Sequence, residues 1–147
     1  MNMFKSIDIS ASGLTAERLR MDIISKNIAN ANTTKTSSGT PYRRQVPVFK
    51  QISSNMTFQQ HLENAKNGID IGNGVEVVAI KEDKSPFKKI YEPGHPDADK
   101  DGYVQMPNVD IVSEMVNMIS ATRSYEANVT SINSAKSMAM KALEIGR

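Results

Sequence analysis

The residue types and spacing best suited to chemistry lie at 97–102, Asp97-Ala98-Asp99-Lys100-Asp101-Gly102. Carboxylates at the first, third and fifth positions with glycine at the sixth match the opening of a calcium loop, which needs oxygen ligands and a sharp turn. The twelfth position, however, is Asn108 rather than a bidentate glutamate, and Pro93 and Pro96 prevent an entering helix. The stretch therefore reads as an acidic, glycine-terminated turn without a metal. His61 and His95 are the only histidines, and neither has a second ligand at metal-like spacing. Absence of cysteine removes disulfides, thiolate metal sites and thiol nucleophiles. No phosphate-binding glycine loop, nucleophile elbow or distinctive carboxylate pair is present. Arg43, Arg44, Lys81, Lys84, Lys88 and Lys89 make a basic strip without interleaved aromatics, and the net charge is only +2. Such a strip reads as a solvated face, so no nucleic-acid partner is expected. These residues argue for no enzyme and no cofactor.

The elements are more informative than the local motifs. With 147 residues, 39% apolar and 5% aromatic without tryptophan, the chain can build one modest core. No run is long enough to span a membrane, and the N-terminus lacks the apolar segment of a cleavable secretory signal. From residue 108 onward Ile111, Met118, Tyr125, Ile132 and Ala139 recur every seven residues, and Met115, Thr122, Val129, Lys136 and Leu143 follow four later. This spacing predicts one long helix with an apolar stripe, ending near Gly146. Some 35 residues of helix reach about 50 Å, so the stripe needs a partner helix. A second stripe, Ser113, Asn117, Ser120, Ser124, Ala127, Ser131 and Ser134, is small and weakly polar, which lets another backbone approach closely.

The N-terminus mirrors the tail. Ile7, Leu14, Met21 and Ile28 predict a helix over residues 3–31, weakened by Gly13 and failing at 29–34, where Asn30 and Asn32 can adopt left-handed geometry. Residues 42–52 alternate as a strand that Pro47 confines to an edge. Residues 53–68 read as a polar loop or a weak helix. Asn73-Gly74 between Ile69, Ile71, Val75 and Val77 signals a hairpin, with strands expected over 75–81 and 87–91. The reading is a mainly α chain. An antiparallel, coiled-coil-like pair of N- and C-terminal helices (1–34 and 108–147) flanks a small β-rich middle element (35–107), because the chain must leave and return at the same end.

Three stretches resemble the rod and hook family of bacterial flagellar axial proteins. These are Asn27-Ile28-Ala29-Asn30-Ala31-Asn32-Thr33-Thr34, then Gly39-Thr40-Pro41-Tyr42-Arg43-Arg44-Gln45, and the run from Tyr91 to Val109 that leads into Arg123-Ser124-Tyr125-Glu126-Ala127-Asn128 and the tail ending at Arg147. The seven residues at 35–41, inserted before Tyr42, and the stretch around His95 to Pro107 are similar to the proximal-rod branch. The resemblance implies a structural subunit of the basal-body rod that transmits torque from motor to hook. It also implies assembly with copies of itself and with FlgB, FlgF, FlgG and FliE, and export by the flagellar type III apparatus into the periplasm without a cleaved signal. The implied assembly interface comprises Ile7, Leu14, Met21, Asn27, Ile28 and Asn30 on the first helix. On the second it comprises Met115, Met118, Ile119, Tyr125, Asn128, Val129, Ile132 and Leu143. A calcium-binding regulatory domain and a coiled-coil adaptor are the competing readings.

Overall fold

A computed structural model describes residues 3–52, 62 and 73–145. Six elements run in chain order: α1 (Met3–Ala29), β1 (Gln45–Gln51), β2 (Val75–Glu82), β3 (Lys88–Tyr91), β4 (Tyr103–Met106) and α2 (Ile111–Ile145). The 35 residues of α2 span about 52 Å. Asp110 starts it: its carbonyl accepts the Glu114 amide at 2.9 Å, and its carboxylate accepts the Ser113 hydroxyl at 2.7 Å and the Val112 amide at 3.3 Å.

α1 and α2 pack antiparallel. Asn27 bonds Glu114, the Thr122 hydroxyl meets Met21 Sδ at 3.6 Å, and Gly13 lies against Asn128, so position rises on one helix as it falls on the other. The seam on α2 differs from the expected stripe in one respect. Met118, Tyr125, Ile132 and Ala139 are half-buried in it, as is the expected companion Val129, but the other companions, Glu114, Ala121 and Ala135, come one residue earlier than expected, and Asn128 joins Val129. Met115 and Thr122 are exposed instead, as is Lys136. The cause is close approach. A Cβ on Gly13 would stand 2.9 Å from Asn128 Nδ2, Ala121 is 0% exposed and Ala135 is 4% exposed. Small residues let the backbones near each other, and the larger apolar residues flank the contact. Leu143 lies on the seam side, but α1 begins too late in the antiparallel register to cover it, and it is 73% exposed.

α1 ends at Ala29, within the expected stretch, though not by left-handed asparagines, since no described non-glycine residue has positive φ. Asn30 Nδ2 returns to the Lys26 carbonyl at 2.9 Å, and the Ala31 and Thr33 amides close short turns onto Ile28 and Asn30. These bonds satisfy the end of the helix without αL geometry.

β1 and β2 form a two-stranded antiparallel sheet, Gln45 opposite Glu82 and Gln51 opposite Val75, with a bulge between Val48 and Phe49. Pro47 is accommodated because each strand of a two-stranded sheet is an edge. The first arm of the expected hairpin and most of the 53–68 stretch lie outside the described residues, and the described partner of β2 is β1. β3 and β4 form a second antiparallel pair, with Tyr91 opposite Tyr103. β4 was not anticipated: four residues, Tyr103–Met106, are too short to display a period. The acidic turn of 97–102 is the loop of this β3–β4 hairpin.

Candidate functional site

The most heavily buried polar groups meet where the end of α1, the start of β1 and the first turn of α2 come together. Asn27 is 1% exposed and all of its amide is used. Its Nδ2 donates to the Gln45 carbonyl at 2.8 Å and to Glu114 Oε2 at 2.9 Å, while its Oδ1 accepts the Gln45 amide and the Tyr42 hydroxyl, each at 2.9 Å. Asparagine fits because two donors and two acceptor lone pairs are needed on one short side chain. Glu114 is 0% exposed; its Oε1 receives Arg44 Nε at 2.9 Å and Nη2 at 2.7 Å. A carboxylate sealed from water requires this charge-assisted pairing.

Arg44 extends the junction to the middle element. Its amide donates to Asn108 Oδ1 at 2.9 Å, its carbonyl accepts the Asp83 amide at 2.8 Å, and Nη1 lies 3.6 Å from Asp83 Oδ2. Asn108 Nδ2 reaches the Asp83 carbonyl at 3.0 Å. Arg43 contributes differently, with its guanidinium 4.2 Å from the centroid of Phe87. The Ser85 hydroxyl and amide, with Arg44 beside them, hold the Asp83 carboxyl below its ordinary 3.8. Burial, reinforced by Glu114 and Glu82, raises the Tyr42 phenol above its ordinary 10.0. Asn27 and Glu114 direct their polar atoms to partners within the fold. The arrangement is a lock joining both helices and the β1–β2 sheet.

The acidic turn closes on itself and on the exit of α1. Asp97 accepts the Thr34 hydroxyl at 2.8 Å, and Asp99 Oδ1 accepts the Lys100 amide at 2.8 Å. Gly102 supplies φ +76 there, where a Cβ would meet the Tyr91 ring at 2.9 Å. The described residues contain no group of three acids, histidines or cysteines able to hold a metal. His95 bonds the Asp97 amide through Nδ1 at 3.1 Å. His61 lies outside the described residues.

Of the residues marked for assembly, Asn27 enters the lock and Asn30 ends the helix. Ile7, Leu14, Met21, Ile28, Met118, Tyr125, Asn128, Val129 and Ile132 are half-buried along the helical pair, whereas Met115, Ile119 and Leu143 stand exposed. Glu114, Arg44, Tyr42, Asn108 and Asp83 escaped notice as a set. A signal existed in Glu114, a lone acid set within the apolar residues at the head of a striped helix. Its partner lies 70 positions away in sequence and could not be inferred from spacing.

Two terminal helices paired antiparallel, with a small β element locked at one end and an uncovered apolar face on α2, make a helical module. Two family models correspond to the two chain ends: "Flagella basal body rod protein" matches residues 7–35, and "Flagellar basal body rod FlgEFG protein C-terminal" matches residues 100–145. The flagellar basal-body rod protein FlgC of Borreliella burgdorferi is 50% identical over 99% of this chain and 98% of its own length. Those of Bacillus subtilis and Escherichia coli O6:H1 are 48% and 43% identical, each with 100% of both chains covered. The chain belongs to the FlgC family of flagellar basal-body rod proteins. It is a structural subunit of the rod. No helix among the described residues is long and apolar enough to cross a membrane.

Proposed function

We propose that this subunit occupies the proximal rod in the periplasm and polymerises through α1 and α2, so that torque passes from motor to hook through packed helices. Its role is structural rather than catalytic. Its neighbours are copies of itself and the rod proteins FlgB, FlgF, FlgG and FliE, reached after export through the flagellar type III apparatus. The observation that carries this reading is the side of α2 turned away from α1, where Val112 is 69% exposed, Val116 61% and Ile119 57%. An apolar stripe of that kind on a long helix is an interaction surface rather than a solvent face. The assembly residues on α1 and α2, with Met115 and Ile119 foremost, belong to this interface.

The test is incorporation into basal bodies purified from a strain that lacks the chromosomal copy and carries a tagged one. Val116→Asp combined with Ile119→Asp should remove the subunit from basal bodies and abolish motility, while the circular dichroism of the purified variant matches that of the parent. Full motility with normal incorporation would overturn the reading.

A further inference from the structure

Between α1 and the β1–β2 sheet runs a groove of about 570 Å³, lined by Ile9, Ala16, Phe49 and Val75, with Glu17, Gln51 and Asn128 as polar side chains. Glu17 Oε2 is buried without a hydrogen-bond donor among the described residues; Arg20 Nη1 stands 3.6 Å away, at ion-pair distance only. Buried carboxylate oxygens normally have a donor, and leaving one without a partner is costly. The Asn128 amide is half-buried and likewise has no hydrogen bond to a described residue. The groove thus presents an apolar wall, a carboxylate in need of a donor and an idle amide.

The opposite features occur together elsewhere on the same chain. Val112, Val116, Ile119 and Arg123 are spaced by four, three and four residues, so they fall on one face of α2, on the side away from α1. The three apolar members are exposed, and Arg123 is exposed with no hydrogen bond or ion pair to a described residue. Val112 to Arg123 covers about 16 Å and Ile9 to Glu17 about 12 Å of helix, so ridge and groove are of similar length.

We infer that the groove receives this ridge from a second copy of the chain, with Arg123 of the incoming copy donating to Glu17. The inference rests on the self-assembly proposed above and names its contact. Ridge and groove are different surfaces, so the contact is heterologous and leaves a free ridge and a free groove at the two ends of any row. Such a contact extends a helical array rather than closing a dimer. An arginine suits the site because its long apolar stem can lie along Phe49 while its fork reaches the carboxylate.

The chain has no cysteine, which makes the test direct. Two differently tagged copies, one with Glu17→Cys and one with Arg123→Cys, are expressed together in motile cells, and basal bodies are isolated under mild oxidation. A disulfide joining the two tags is expected. Separately, Arg123→Glu should lose incorporation although Arg123 makes no hydrogen bond or ion pair with a described residue of its own chain, and Glu17→Arg with Arg123→Glu should restore it, which a folding defect in either single variant would not allow. Normal incorporation of both charge reversals, absence of the mixed disulfide, or cross-linking of Arg123→Cys to a different rod protein would each overturn the contact. None of these results would disturb the rod assignment, which is tested separately by the presence of the parent chain in basal bodies.

Discussion

Asn27 and Glu114 concentrate more unreplaceable bonding than any other pair of side chains described. Glu114→Ala takes the acceptor from Nε and Nη2 of the half-buried Arg44, which keeps Asp83 beside Nη1, and leaves one Asn27 amide proton buried without a partner, at a cost of about 1–3 kcal/mol. Asp101→Ala removes an exposed turn carboxylate with no described hydrogen bond and should stay within about 0.5 kcal/mol. Thermal unfolding followed by circular dichroism checks both; equal losses would show that the junction is not the lock described. The ionisations around it predict a pH window. Asp83 and Asp110 have depressed carboxyls in the folded state, Asp110 chiefly because the Ser113 hydroxyl bonds it. Their contributions are present above the ordinary 3.8 and fade as pH falls through the lower folded values. Tyr42 has the opposite sign: its raised phenol favours the fold below 10.0, and that advantage is lost as pH rises through the higher folded value. Melting temperature should therefore drop at both extremes, and Tyr42→Phe should flatten the alkaline limb while lowering the plateau through loss of the bond to Asn27.

At the scale of the element, close approach of the two helices governs which apolar residues are covered. Ala121→Leu forces side-chain volume into a fully closed contact and should cost about 1–3 kcal/mol, whereas Met115→Ala, on the open side, should leave the melt of the single chain nearly unchanged. A reversed order would restore the seam expected from a four-residue offset. Another element contact is α1 against β2, made by Ser12, whose hydroxyl donates to the Ile9 carbonyl at 2.7 Å and accepts the Val75 amide at 3.1 Å. Gly74, at φ +113, brings the strand onto that hydroxyl, and an added Cβ would strike Ser12. Gly74→Ala combines that overlap with a strained backbone worth about 1–3 kcal/mol, so it should detach the sheet from α1 and be detected as lost amide protection over β2.

Across the whole molecule stability is uneven. The lock, Ile23, Ile24 and Ala121 are buried at one end of the helical pair, while Phe4, Met138, Met140 and Leu143 are exposed at the other. Helices need tertiary cover more than intrinsic propensity to persist. Hydrogen exchange on the monodisperse chain should show the far segments, residues 3–10 and 132–145, exchanging fast, with residues 20–29 and 111–121 slower, and incorporation into the rod should protect the far segments. Uniform strong protection of α2 in the monomer would mean that the pair needs no neighbours. A chain with loosely held ends suits passage through a narrow export channel, which ties this prediction to the proposed route.

The sequence by itself determined the two terminal helices, the point at which the first stops and most of the strands, because these depend on side-chain periods, breakers and caps acting within a few residues. It also marked Asn27 and the family to which the chain belongs. Only the tertiary structure decided the seam's true companions, since choosing between Ala121 and Thr122 depends on how closely α1 approaches at Gly13. Only it brought Glu114, Arg44 and Asn27 together, and only it set Glu17 in a groove without a hydrogen-bond donor among the described residues. Those facts arise from contacts between residues tens of positions apart, where burial turns an ordinary charge into a costly one that must find its partner.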